Sequence, residues 1–215
     1  LGRGAAAMTG WREAILGNIR GALGRGAVPD NTAAELAERV AAHRRNLIPA
    51  RAAALDHAGR GELFQTMAEE VQTSVARVAS AGDVAGEVAR YLAAENLPAE
   101  LVMAPDPGLD DCGWDGRPLL QIRRGKAEPD DMVSVTPCLA AVAETGTLML
   151  VSGGDTPTTL NFLPDAHVVV VRADQVVAGY EDGWDLVRAR AGDDPAAWPR
   201  TVNFITGPSR TADIE

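Results

Sequence analysis

Apolar side chains recur every three or four residues over the first third of the chain, and this spacing predicts amphipathic helices. The first helix should begin after Thr9, a residue type that caps helices, and end at the glycines from Gly24 onward. Further helices are predicted from 32 to about 46 and from 62 to 79. The first helix carries a continuous apolar stripe formed by Trp11, Ile15, Ile19 and Leu23. Residues 1–79 are therefore predicted to form an N-terminal helical extension.

From residue 80 onward, predicted helices and strands alternate. Helices are predicted at 83–95 and 182–191, and the short apolar segment 138–143 suggests a helical turn. The predicted strands are 101–103, 119–122, 132–135, 146–152, 167–172 and 202–205. The unbroken valine run at 168–171 is typical of a strand that is buried on both faces. This alternation predicts an α/β domain over 80–215, with a mainly parallel sheet flanked by helices.

Composition narrows the class of protein further. The chain has 215 residues, of which 46% are hydrophobic but only 4% aromatic, so the core should be built mostly from Val, Leu, Ile and Ala. A formal net charge of −10 argues against nucleic-acid binding, because phosphate backbones require clustered Lys and Arg. The two cysteines, Cys112 and Cys138, lie too far apart in sequence for a CxxC motif, which favours reduced thiols in the cytoplasm. Neither a membrane-spanning run nor a secretory signal is evident.

Two polar, glycine-containing segments each adjoin an apolar strand. One includes 143–147 and continues through its strand to Ser152, and the other begins at Gly207. Ligands of open α/β sheets bind beyond strand ends, and glycines let backbone N–H groups approach an anion. Arg210 would clamp a carboxylate or phosphate group. These segments predict one anion site, whose binding residues are Thr145, Gly146, Thr147, Ser152, Gly207, Ser209, Arg210, Thr211 and Asp213.

Glu144 and His167 are the candidate catalytic residues. Glu144 could act as a general base or a nucleophile, or it could be a structural acid that accepts backbone hydrogen bonds. His167 opens the valine strand and could exchange protons near neutral pH, although a histidine at a strand edge is more often structural. The three histidines do not share a metal-ligand spacing, so no metal site is predicted. P-loop, dinucleotide-binding and serine-triad patterns are not found in the sequence.

The same polar segments resemble the LUD domain family. The resemblance rests on Ala-Glu-Thr-Gly-Thr at 143–147, Ser152, Leu-Pro-x-x-His at 163–167 and the motif at 207–215, and it is firm from about 132 to 215. It implies an α/β fold similar to the sugar-phosphate isomerase and CoA-transferase (NagB/RpiA) superfamily. Because the family usually continues beyond this motif, the C-terminal end of the domain is expected to lie past residue 215.

The resemblance also implies a role in bacterial oxidation of L-lactate to pyruvate, beside partner proteins that carry iron–sulfur clusters. This chain lacks the cysteine-rich motifs of such partners, so no cofactor is expected in it. It would be a cytoplasmic accessory or ligand-binding subunit that binds a small anionic metabolite. Two alternatives stay open at this point. The chain could be a stand-alone enzyme that acts on a CoA ester or sugar phosphate, with Glu144 as base or nucleophile, or a non-catalytic module that docks a partner through the N-terminal apolar stripe.

Overall fold

By its backbone contacts the chain divides into two units, residues 1–46 and residues 47–215. The computed structural model describes residues 3–24, 26–45, 49–192 and 194–208. Contacts therefore group residues 47–79 with the strands that follow them. The domain boundary predicted between residues 79 and 80 stays a prediction. None of the described helices combines the length and the hydropathy that a bilayer crossing requires.

The first unit contains helices α1 (Arg3–Ala22) and α2 (Asp30–Ala42). Helix α1 begins well before Thr9, so the predicted cap there is wrong; the preceding alanines are strong helix formers and extend the helix. Helix α2 begins directly after Pro29, and it ends where His43 adopts left-handed backbone with a φ of 43°. The apolar stripe of α1 is exposed, from 48% at Ile19 to 75% at Trp11.

The second unit alternates helices and strands, as its apolar pattern predicts. Its helices are α3 (Ala50–Ala53), α4 (His57–Glu70), α5 (Val84–Ala94), α6 (Thr159–Phe162) and α7 (Tyr180–Ala191). Its strands are β1 (Glu100–Met103), β2 (Gln121–Arg124), β3 (Val133–Pro137), β4 (Ala140–Val142), β5 (Thr147–Val151), β6 (Ala166–Val170), β7 (Val176–Val177) and β8 (Val202–Ile205). Strand β8 occupies the predicted residues without any shift.

The first sheet is fully parallel and has the order β2-β1-β3-β6. The chain passes from β1 to β2 on one side, then crosses to β3 on the other side of β1. The strand order therefore reverses between β1 and β3, at a topological switch point. The core of this sheet includes Val102, Val133 and Val135, which are fully buried, and Leu92 of α5 and Leu160 of α6 pack into it. The predicted α/β fold with a parallel sheet flanked by helices is confirmed.

The second sheet has the order β7-β4-β5-β8 and is mixed. Strand β4 is parallel to β7, whereas β5 is antiparallel to both β4 and β8. The helical turn predicted at 138–143 is wrong, because Ala140–Val142 form a fully buried strand between two neighbours. A short apolar segment is compatible with a helical turn or a strand. Here, pairing with β5 on one side and β7 on the other stabilises the strand.

Two further elements differ from their predicted form. The helix predicted at 62–79 begins earlier, at His57, because the Asp56 side chain accepts a hydrogen bond from the Gly59 N–H at 2.8 Å. It ends at Glu70, and Gln72 then adopts left-handed backbone with a φ of 69°. Strand β6 is half-buried along its whole length rather than buried on both faces, because it lies at an edge of the first sheet. The likeness to the isomerase and CoA-transferase superfamily stays a prediction.

Candidate functional site

Two polar turns meet at one end of the second sheet. The first turn, residues 144–146, joins β4 to β5, and the second, residues 206–208, follows β8. Because β5 and β8 are antiparallel, the start of β5 lies beside the end of β8. Thr147 Oγ1 lies 2.6 Å from Thr206 Oγ1 and joins the two turns directly. The structure thus brings together the described parts of the two segments from which the sequence predicts one site.

Four hydroxyl groups form a connected network at this junction, here called the hydroxyl cluster: Thr145, Thr147, Tyr180 and Thr206. Thr145 Oγ1 lies 2.7 Å from Thr147 Oγ1, and the Tyr180 hydroxyl lies 3.0 Å from each of these two oxygens. Thr147 is fully buried, so its hydroxyl depends on these partners. Sequence reasoning missed Tyr180 and Thr206. Thr206 directly precedes Gly207 and could have been found by that position, whereas Tyr180 carries no sequence signal.

Gly146 and Gly207 bring both turns against the C-terminal end of helix α4. Both have left-handed backbone, with φ of 65° and 72° respectively. A Cβ atom on Gly146 would lie 2.4 Å from the Ala68 backbone nitrogen, and one on Gly207 would lie 2.5 Å from the Val71 carbonyl oxygen. The close approach that these glycines permit is therefore an approach to the chain's own helix.

Glu144 lies beside the hydroxyl cluster at the start of α7. Its backbone N–H donates to the Ala178 carbonyl at 3.2 Å, and its own carbonyl accepts a 2.5 Å hydrogen bond from Arg51 Nη2. The half-buried side chain places Oε2 3.6 Å from the position that a Cβ atom would take on Gly179, the residue before α7. A helix N-terminus stabilises a nearby carboxylate. The role of Glu144 as a proton-handling residue stays a prediction.

The structure does not bring Ser152 or His167 to the hydroxyl cluster. Ser152 lies at the opposite end of β5, where its Oγ accepts a hydrogen bond from the Thr201 N–H at 2.9 Å. His167 lies on β6 of the first sheet, with Nε2 2.8 Å from Thr136 Oγ1. Burial lowers the pKa of His167 to about 4, so its imidazole is neutral at neutral pH.

Four predicted binding residues lie outside the described residues. They are Ser209, Arg210, Thr211 and Asp213. Their role in ligand binding stays a prediction, and the site described by contacts consists of the two turns and the hydroxyl cluster.

A separate cleft of about 190 Å³ opens at the carboxyl ends of β1, β3 and β6, here called the switch-point cleft. Its lining includes Thr136 at the end of β3, together with Arg172 after β6 and Arg190 from the last turn of α7. Sequence reasoning missed these residues. Ligands of open α/β sheets bind beyond the carboxyl ends of strands, at the point where the strand order reverses. The sequence does not give the strand order, so it could not show which loops lie at that point.

The described residues contain no group of three or more His, Cys, Asp or Glu side chains arranged to hold a metal ion. Cys112 and Cys138 are free and buried. Burial raises the pKa of both thiols, to about 12 for Cys138, so neither is a reactive thiolate at neutral pH.

Residues 130–215 match the family model of the LUD domain. This part of the chain is similar to the LUD domain family. Lactate utilization protein C of Deinococcus radiodurans is 35% identical to the chain over 82 residues, which cover 38% of this chain and 36% of that protein. The protein of the same name from Bacillus subtilis is 31% identical over 83 residues, covering 39% of this chain and 34% of that protein. The chain thus spans about a third of the length of these curated relatives.

A solved structure extends the likeness beyond the LUD domain match. The crystal structure of a DUF162 family protein from Deinococcus radiodurans superimposes with a TM-score of 0.57 at 26% sequence identity. The superposition covers 71% of this chain and 90% of that chain. The residues that match the LUD domain contain β3 to β8, and therefore both polar turns as well as Arg172 and Arg190 of the cleft. The cleft residues that follow β1, which are Asp106, Gly108 and Leu109, precede the matched residues.

Proposed function

We propose that this chain acts in lactate utilization, as an accessory subunit beside iron–sulfur proteins that oxidise L-lactate to pyruvate. The observation that carries the proposal is the match of residues 130–215 to the LUD domain, together with curated relatives that are named lactate utilization protein C. The meeting of the two turns supports it, because both turns belong to that domain and share the hydroxyl cluster. In this role the cluster and Arg210 contact a small carboxylate ligand.

The cysteines support an accessory role. Iron–sulfur clusters are usually held by about four cysteine thiolates, and this chain has 2 cysteines, both buried. Electron transfer would therefore depend on partner proteins. Free thiols fit a reducing compartment, and we place the activity in the cytoplasm.

A growth experiment tests this role. Deletion of the gene from its source bacterium should abolish growth on L-lactate while growth on pyruvate continues, and the wild-type gene should restore it. An affinity-tagged chain should also retain iron–sulfur proteins, detected by iron and acid-labile sulfide in the eluate. Undiminished growth of the deletion strain on L-lactate would contradict the proposal.

A second candidate function is favoured by the position of Glu144. A half-buried carboxylate beside a helix N-terminus and a hydroxyl network could serve as base or nucleophile of a stand-alone enzyme acting on a CoA ester or sugar phosphate. Purified chain should then turn over such a substrate without partners, and Glu144→Gln should lower the rate more than about 100-fold. Glu181→Gln, in the first turn of α7, is the matched control. Turnover that survives Glu144→Gln would eliminate this role.

The exposed stripe of α1 favours a docking function for the first unit. Exposed apolar patches of this kind commonly mark contact surfaces for other proteins, and Trp11 is 75% exposed. Removal of residues 1–30 should therefore abolish retention of the iron–sulfur proteins while the circular dichroism of the remaining chain keeps its α/β character. Retention by the shortened chain would show that docking occurs elsewhere.

A further inference from the structure

We propose that the switch-point cleft binds a small organic anion, with Arg172 and Arg190 holding its carboxylate or phosphate group. This site is separate from the hydroxyl cluster, and it does not depend on the lactate-utilization role.

The cleft lies where the topology of the first sheet opens a crevice. The connections that follow β1 and β3 leave the sheet in opposite directions, so their first residues separate at the carboxyl edge. Asp106 and Gly108 follow β1, Cys138 follows β3, and Arg172 follows β6. All four line the cleft. Three separate loops thus converge on the one edge where parallel sheets characteristically hold ligands.

Arg172 is positioned for a ligand by its own hydrogen bonds. Its Nη2 donates to the Gly108 carbonyl at 2.9 Å and to Asp111 Oδ1 at 2.8 Å. Both bonds use one nitrogen, and among the described residues Nε and Nη1 of Arg172 have no acceptor. Gln175 links the backbone of Arg172 to the loop after β3. Its Oε1 accepts a hydrogen bond from the Arg172 backbone N–H at 2.8 Å, and its Nε2 donates to the Cys138 carbonyl at 2.7 Å.

Arg190 supplies a second cation to the lining of the cleft. No described residue pairs with its guanidinium, whereas the neighbouring Arg188 on α7 forms an ion pair with Asp185 at 3.0 Å. Asp106 is the acid among the lining residues, and its Oδ1 accepts from the Gly108 N–H at 2.7 Å. Because Asp111 pairs with Arg172 and Asp106 lies in the lining, the two arginines do not give the cleft a net positive charge. Anion binding would instead use the guanidinium N–H groups of Arg172 and Arg190 that have no acceptor among the described residues.

The walls of the cleft suit an organic ligand rather than a bare ion. Leu139, Leu150 and Val170 present apolar surface to it, against which a carbon skeleton can pack. Thr136 provides a hydroxyl group, which lies 2.8 Å from Nε2 of the neutral His167. Apolar walls with a few polar and charged side chains are the usual composition of a small-molecule site.

Calorimetric titration of the full chain tests the site. The probes are L-lactate, pyruvate, acetyl phosphate and inorganic phosphate, so that carboxylate and phosphate ligands are distinguished by which of them bind. Arg190→Gln should weaken binding of the recognised probe about tenfold or more, because a charge-assisted hydrogen bond is lost. Arg190→Glu should abolish it. Arg188→Gln removes a charge two residues earlier on the same helix, at a position that does not line the cleft. This variant should bind as the wild type does.

Folding of the variants is checked by thermal melting, and Arg190 is preferred to Arg172 because the contacts of Arg172 also hold the loop after β1. Thr145→Val serves as the variant of the hydroxyl cluster. Binding lost in Arg190→Gln and kept in Thr145→Val assigns the anion to the cleft, whatever the growth phenotype. Absence of binding by every probe, unchanged affinity in Arg190→Gln, or loss only in Thr145→Val would overturn the proposal.

Discussion

Gly146 and Gly207 show how single residues position the two turns. Each combines left-handed backbone with a contact against α4 that leaves no space for a side chain. Sequence reasoning identified both positions, but expected them to admit a ligand. Their neighbours in space are Ala68 and Val71, which lie far from either turn in sequence, so the pattern of glycines alone could not reveal the contact.

Replacement of Gly146 by alanine should destabilise the fold by about 2–4 kcal/mol. The left-handed backbone costs an alanine about 1–2 kcal/mol, and the added Cβ would overlap backbone atoms of α4, which have to move. Urea unfolding measures the change. Gly154→Ala is the matched control, since its Cβ would meet nothing within 4 Å, and its free energy of unfolding should change by less than about 0.5 kcal/mol. Equal stability of the two variants would contradict this account.

His167 should make stability depend on pH. Its pKa is lowered by burial from 6.5 to about 4 in the folded chain. Between these values the unfolded chain binds a proton that the folded chain does not, so stability is full above pH 6.5 and is lost as the pH falls toward 4. The loss amounts to about 3 kcal/mol and levels off at lower pH.

Urea unfolding at several pH values tests this expectation. His167→Gln should flatten the pH dependence in that window, whereas His57→Gln, at an exposed position, should keep the dependence of the wild type. An unchanged slope in His167→Gln would show that other groups control the acid sensitivity.

At the scale of elements, strand pairing determines the secondary structure of segments whose apolar pattern is compatible with both a helix and a strand. Strand β8 lies where its apolar residues predict it, but residues 140–142 form a strand that the pattern assigned to a helical turn. Thr147 and Ser152 lie at opposite ends of β5, so the length of one extended strand separates these predicted site residues. Residues that adjoin one strand in sequence can therefore belong to different ends of the sheet.

The hydroxyl cluster should stabilise the joined ends of β5 and β8. Thr147→Val keeps the shape of the side chain but removes a fully buried hydroxyl with three neighbours, and should lower the free energy of unfolding by about 1–3 kcal/mol. Chemical denaturation measures the loss. Thr201→Val, at an exposed position before β8, is the control and should be nearly neutral. A neutral Thr147→Val would mean that the network contributes little to folding.

At the scale of the whole molecule, backbone contacts divide the chain between residues 46 and 47. Helix α4 belongs to the second unit, where Phe64 and Ala68 are buried beside Ala141 and Ala143. Helix α2 has no buried residue. The second unit thus holds the cores of both sheets, both polar turns and the switch-point cleft.

A fragment of residues 47–215 should therefore fold without the first unit and melt at the temperature of the full chain. A fragment that begins at residue 80 would lack α4 and should be several kcal/mol less stable. It loses the burial of Phe64 and the contacts of Gly146 and Gly207 with the end of α4. Differential scanning calorimetry compares the two fragments. Equal melting temperatures would favour the domain boundary at 79/80.

The amino-acid sequence by itself determined the α/β class, the place of most helices and strands, and the two polar turns that carry the likeness to the LUD domain. These features follow from apolar periodicity and local motifs, which are properties of neighbouring residues. Tertiary structure alone decided that 140–142 is a strand, that His167 lies away from the hydroxyl cluster, and that Arg172 and Arg190 line one cleft. Those outcomes depend on strand order and pairing between distant segments, and no local pattern encodes which strands become neighbours.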